Sequence, residues 1–157
     1  ELLLRYFAYQ NFASSYQGNL KKFLDSTHRY FNSQWDSENI KALRQFETFN
    51  QTLILTRQIF GEKKYLRKWN GNSFEPRINR AVFDIMMYYF SDSNIASKAS
   101  IESEKIINAF IKLCENKDFI SSLETTTKSL VANRIRFSMW AEALNRELGT
   151  DIKSPFD

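Results

Sequence analysis

Apolar residues in this chain recur three and four positions apart, the period of one helix face, and almost nowhere alternate as a half-buried strand would. The spacing predicts seven helical segments. The first covers residues 1–13, with Leu3, Leu4, Phe7 and Ala8 in register. The second covers 19–34, capped by Asn19 after Gly18, with Leu20, Phe23, Leu24, Thr27 and Phe31 on one face. The third starts at a cap on Asp36 or Ser37 and stops at Gly61, and its inner face reads as Ile40, Leu43, Phe46, Phe49, Leu53 and Phe60. The fourth, within RINRAVFDIMMYYFSD, is apolar on most sides and so belongs at the centre of the fold. Residues 91–100, SDSNIASKAS, read as a polar linker ending in a cap at Ser100. Helices over 101–115 and 118–125 follow. A last one carries Leu130, Val131, Arg134, Phe137, Met139, Trp140, Leu144 and Leu148 and ends at Gly149. The tail TDIKSPFD reads as loose. The expected fold is one all-α domain over residues 1–157, an irregular bundle of about six to seven helices with one basic loop between the third and fourth.

Composition agrees with a helical reading. Four glycines and two prolines supply few breakers, and 157 residues suffice for one real core. No run of about 18 apolar residues offers a membrane span. One cysteine, Cys114, excludes an internal disulfide and suits a reducing, cytoplasmic setting. The chain begins inside a helical pattern, which is expected of a fragment of a larger multidomain protein.

The search for chemistry finds no catalytic, cofactor or metal set. His28 and Cys114 are the only residues of their kinds, and two such ligands do not complete a zinc site. His28 reads as a surface or half-buried structural residue, and Cys114 as a small buried hydrophobe. Phosphate loops need clustered glycines, and the single glycine of NGN at 70–72 does not make one. The carboxylates Glu102 and Glu104, and Asp84 and Asp92, read as solvated charge on helix caps and faces. Asn79 and Arg80 read as a cap for the fourth helix or a pair for Asp84.

Residues 61–80, GEKKYLRKWNGNSFEPRINR, stand apart, with six basic residues against two acidic ones, an excess equal to the net charge of +4 of the whole chain. Lysine and arginine neutralise phosphates, and aromatic rings stack on bases. Lys63, Lys64, Arg67 and Lys68, with Tyr65 and Trp69, are therefore the candidate nucleic-acid-binding residues. As solvated charges, the four basic residues should contribute little to stability. The same stretch also reads as a solvated connector whose Trp69 or Phe74 folds back onto a helix.

Taken in order, ELLLRYFAY, YQGNLKKFLDS, a long helix ending IFGEKKYLRKW, RINRAVFDIMMYYF and FISSLETTTKSLVANRIRF resemble the helical C-terminal half of the domain of unknown function 262 family. The GmrSD-type restriction proteins belong to that family. The resemblance covers nearly the whole chain. It implies an N-terminal ParB/sulfiredoxin-like domain with a D-G-Q-Q-R motif and nucleotide hydrolysis, and in many members a following HNH-type nuclease domain. Neither motif occurs here, so no catalytic residue carries over. The reading is a non-catalytic domain of a bacterial phage-defence or restriction-modification protein, a nucleotide-dependent DNA endonuclease as a whole. Its implied partners are the ParB-like domain of the same polypeptide and DNA, with no membrane. The alternative is a protein-interaction or dimerisation module, with a second copy as partner. A small enzyme with a dispersed carboxylate site ranks below both.

Overall fold

The computed structural model describes residues 1–157 and is all-helical. Eight α-helices follow one another: α1 Leu2–Phe12, α2 Leu20–Ser33, α3 Trp35–Phe60, α4 Arg80–Phe90, α5 Ser93–Ile101, α6 Ser103–Leu113, α7 Lys117–Glu124 and α8 Leu130–Leu148, with a 3-10 turn at Ala13–Ser15. No helix is long and apolar enough to cross a membrane.

Eight helices exceed the expected six to seven because residues 91–100 are not a linker. Asp92 accepts from the backbone N–H groups of Asn94 and Ile95 at 2.9 and 3.0 Å and so starts α5. Ile95 and Ala99, one turn apart, anchor it in the core. The hydroxyls of Ser97 and Ser100 fold back onto carbonyls of their own helix, so a serine-rich sequence stays helical. Ser100 is consequently inside α5 and caps nothing. Asn19 caps α2 and Asn79 caps α4 as the sequence indicates, and Asn116 and Ser129 cap α7 and α8. The cap expected at Asp36 or Ser37 is not one: both lie inside α3, which starts at Trp35 after Gln34 with no side-chain cap.

Helix α4 is the axis of the molecule, and nine of its eleven residues are buried. It contacts α1, α3, α5, α7 and α8. The aromatic excess fills the spaces between these helices with edge-to-face pairs. Phe137 of α8 meets Tyr9, Tyr88 and Phe156 with ring centroids 5.0–5.4 Å apart. Phe156 belongs to the tail, which is therefore not loose. Asn145 exchanges two hydrogen bonds of 2.8 Å with the backbone of Ile152, and Ser154 is buried.

Asp84 is not a solvated charge. Its side chain has no exposure and lies between two buried arginines. Arg5 of α1 donates from Nε to Oδ1 at 2.9 Å and from Nη2 to Oδ2 at 2.5 Å. Arg136 of α8 donates to Oδ2 at 3.4 Å and to Asn133 Oδ1 at 2.7 Å. The Tyr9 hydroxyl donates to the same Asn133 oxygen at 2.8 Å, and Arg136 also reaches the carbonyls of Thr127 and Ser122. Burial raises the Asp84 pKa, and the two guanidinium groups oppose that rise. Arg80 pairs instead with Glu1 at 3.4 Å at the surface.

Asp84→Asn keeps the shape and removes the charge, leaving two buried guanidiniums without their counter-charge. Breaking a buried pair in this way costs about 3–5 kcal/mol. Urea unfolding should show that loss, and a variant as stable as the parent would exclude the cluster as a structural anchor.

Candidate interaction surfaces

The 61–80 connector is an ordered, compact loop. Gly61 ends α3 at a φ of +83°, where its N–H still reaches the Arg57 carbonyl at 2.8 Å. Leu66 is buried at a φ of +55°, unusual for a branched residue, and its carbonyl accepts from the N–H of Asn79 at 3.0 Å. Trp69 and Phe74 face each other across an isolated antiparallel bridge, with rings 5.2 Å apart. Asn70 closes the tip by accepting from the N–H groups of Asn72 and Ser73.

This geometry divides the six candidate nucleic-acid residues. Lys63 and Lys64 are exposed and make no ion pair. Arg67 is half-buried, and its Nη1 donates to the carbonyl of Lys63 at 2.8 Å. Tyr65 and Trp69 are half-buried against the core, so their faces are not free platforms for bases. Lys68 departs most from the solvated reading. It is only 6% exposed, and its ammonium pairs with Glu75 at 2.9 Å and with Glu124 of α7. Burial lowers its pKa, and the two carboxylates more than reverse that. In this conformation Lys68 ties the loop to α7 and is not available to a phosphate. Of the connector's other cations, Arg77 is exposed and unpaired.

A second surface lies between the first three helices. Leu3 and Phe7 of α1, Phe31 of α2, and Trp35, Leu43 and Phe46 of α3 line an open cavity of about 320 Å³. Apart from His28 at its edge, its lining is apolar. Large side chains here face water: Trp35 is 50% exposed, Leu43 59%, Phe46 44% and Leu3 38%. An apolar concavity of this kind marks a site that takes something.

The periodicity pointed to Ile40, Leu43 and Phe46 as part of the inner face of α3. The structure places all three outside. The rest of that stripe does pack inward: Phe60 is buried, and Phe49 and Leu53 lie half-buried against the core beside Thr52, Thr56 and Ile59. Thr52 and Thr56 can be buried because each hydroxyl donates to a carbonyl of its own helix, at 2.8 and 2.9 Å. The expected stripe is split along the helix, its N-terminal half outward and its C-terminal half toward the core.

Cys114 is buried, and burial pushes its thiol up to about 11. No group of three or more His, Cys, Asp or Glu side chains lies close enough to hold a metal ion.

Lys68→Ser should lower the melting temperature by a few degrees, because it removes the buried link between the loop and α7; Glu75 and Glu124 stay partly in water, so the cost is roughly 1 kcal/mol. Lys63→Ser and Lys64→Ser should leave it within about 0.5 kcal/mol of the parent. Thermal unfolding of the three variants checks the distinction, and equal melting temperatures would return Lys68 to the solvated set.

No protein-family model matches the chain, and no curated protein or solved structure matches it either.

Proposed function

We propose that this domain is a non-catalytic docking module whose α1–α2–α3 cavity receives apolar side chains from another folded domain. The observation that carries this is the exposure of Leu3, Trp35, Leu43 and Phe46 around one apolar concavity. Keeping such a surface in water is unfavourable by about 25 cal/mol per Å² of apolar area. A partner that covers it recovers that energy. The resemblance to the domain of unknown function 262 family supplies an occupant, the ParB/sulfiredoxin-like domain of the same polypeptide. In that setting the bundle braces a nucleotide-hydrolysing unit in a restriction-type protein. The rigidity of the Asp84 cluster suits a brace, since it fixes α1, a wall of the cavity, against α4 and α8.

Isothermal titration of the chain with that ParB-like domain, supplied separately, tests the reading. Binding is expected, and Leu3→Glu should weaken it about tenfold or more, the effect of losing a central apolar contact. Undetectable binding, or binding indifferent to Leu3→Glu, would remove the docking role from this cavity.

A second reading, contact with DNA, is favoured by one observation: Lys63, Lys64 and Arg77 are exposed and free of ion pairs. Contact through them would be to phosphate, weak and insensitive to sequence. With two or three contacts, affinity should fall by roughly 2–3 log units per log unit of salt on duplex DNA. Fluorescence anisotropy with a labelled duplex at several salt concentrations measures this. Lys63→Ser with Lys64→Ser should abolish the signal, and a parent chain silent at low salt would make the loop a connector only.

A further inference from the structure

A second exposed stripe runs along α3, beside the cavity but not part of it. Ile40 is 63% exposed, Leu43 59% and Ile54 56%, while Glu47 and Asn50 between them are also exposed. Ile40, Glu47 and Ile54 are spaced by seven residues, and Leu43 and Asn50 fall three after the first two. Counting Arg57, half of the positions at this spacing are polar, so the stripe is marked by the exposure of its apolar members and not by a heptad seam. The helix has 26 residues, so it is about 39 Å long at 1.5 Å per residue. No part of the chain packs over this stripe.

We propose that α3 pairs with α3 of a second copy of this chain, antiparallel, about a two-fold axis passing at Glu47. Of the stripe's positions, the two outer isoleucines are symmetric about Glu47. Ile40 and Ile54 stand seven residues on either side of Glu47, so an antiparallel copy sets each isoleucine against the other. The central glutamates would repel, but Arg44, one turn earlier and exposed, lies within reach of the glutamate of the other copy, giving two crossed ion pairs. At the ends, Asp36 of one copy comes beside Arg57 of the other. Arg57 already pairs with Glu62 in its own chain but remains well exposed. The antiparallel arrangement also sets each helix's positive end beside the other's negative end.

Area decides between a specific pair and a casual contact. A specific interface needs roughly 1,000 Å² in total. Ile40, Leu43, Phe46 and Ile54, with the stems of Arg44 and Gln51, expose on the order of half that on each copy. The pair should therefore be reversible and in the micromolar range.

This inference does not rest on the docking reading, because Ile40 and Ile54 do not line the cavity; Leu43 and Phe46 border both. Sedimentation equilibrium of the 157-residue chain should show a monomer–dimer equilibrium. Ile54→Glu should weaken it about tenfold or more while circular dichroism stays unchanged, since Ile54 is already mostly in water. Leu3→Glu, inside the cavity, should leave the dimer intact. Glu47→Arg should break the pair by stacking positive charge at the two-fold, and Arg44→Glu added to it should restore association. Orientation is read by cross-linking. Asp36 and Gln58 lie eleven residues on either side of Glu47, so Asp36→Cys and Gln58→Cys chains should form a disulfide when mixed and oxidised, and neither should do so alone. Cys114, buried with its thiol held protonated, stays silent in that assay. A chain that remains monomeric up to about 1 mM overturns the proposal. So does a dimer broken by Leu3→Glu but not by Ile54→Glu, or self-cross-linking of each single-cysteine chain, which would mean a parallel pair.

Discussion

A carboxylate sealed from water must find its stabilisation inside the protein, and Asp84 finds it in two guanidinium groups from opposite ends of the sequence. Arg5 takes both oxygens in a near-parallel fork, and Arg136 takes the outer one from the other side. The second positive charge is met partly by Glu1, whose carboxylate lies 3.7 Å from Arg5 at the surface end of the cluster, and partly by neutral acceptors around Arg136, the carbonyls of Ser122 and Thr127 and the side chain of Asn133. The Nε of Arg136 has no partner, so the arrangement is held tightly but is not fully satisfied. Because each contributor sits on a different helix, the cluster sets the angles of α1, α4 and α8 together. A hydrophobic replacement of all three could be as stable, so the ionic version is better understood as fixing one arrangement among several that apolar packing would tolerate.

Periodicity made the helices legible and left their partners hidden. The central position of α4 followed from its being apolar on most sides, and Val82, Met86 and Tyr89 are indeed buried. Asp84 in the middle of that run could be recognised as needing a partner, since an acidic residue on a helix with no polar face has no water to go to, but the neighbours that spacing offers, Asn79 and Arg80, cap α4 and pair with Glu1 instead. The two arginines of Asp84 could not be recognised, because they lie 79 and 52 positions away, and nothing local encodes such a distance. The same limit explains the last helix. Arg134 and Val131 fit an inner stripe by spacing, yet the inward set is Ala132, Asn133, Arg136 and Phe137, rotated toward the Asp84 cluster. Helix α5 was missed for a different reason. Serine and asparagine favour loops when isolated, and here Asp92 as a cap and Ile95 as an anchor override that preference.

Charge in the 61–80 stretch carried two messages that composition alone mixes. Lys63 and Lys64 are solvated, as a count of charges suggests. Lys68, four residues further on, is a structural cation whose partners are one loop residue and one residue 56 positions away on α7. Its removal from the candidate surface cuts the number of phosphates the loop could engage, and with it the affinity that counterion release could supply. Tyr65 and Trp69 are similarly spent on covering the core. The loop is basic in sequence and only modestly basic in what it offers to a partner.

The burial of threonines and the exposure of isoleucines on α3 belong to one arrangement. Phe49, Leu53, Ile59 and Phe60 fill the side of α3 toward the core, with Thr52 and Thr56 between them, and Ile40, Leu43, Phe46 and Ile54 are left to point away. In a chain that worked alone, those outward positions would gain nothing from being apolar, and polar residues there would cost no packing. Four large apolar side chains on the outer stripe, with Leu3 and Trp35 also exposed at the cavity beside it, are therefore better explained by surfaces that are covered in the working protein than by a core left unfinished. The two surfaces meet at Leu43 and Phe46, so α3 can be held on one flank by a neighbouring domain and on the other by its own copy. It would then link the rigid centre around Asp84 to whatever binds outside it.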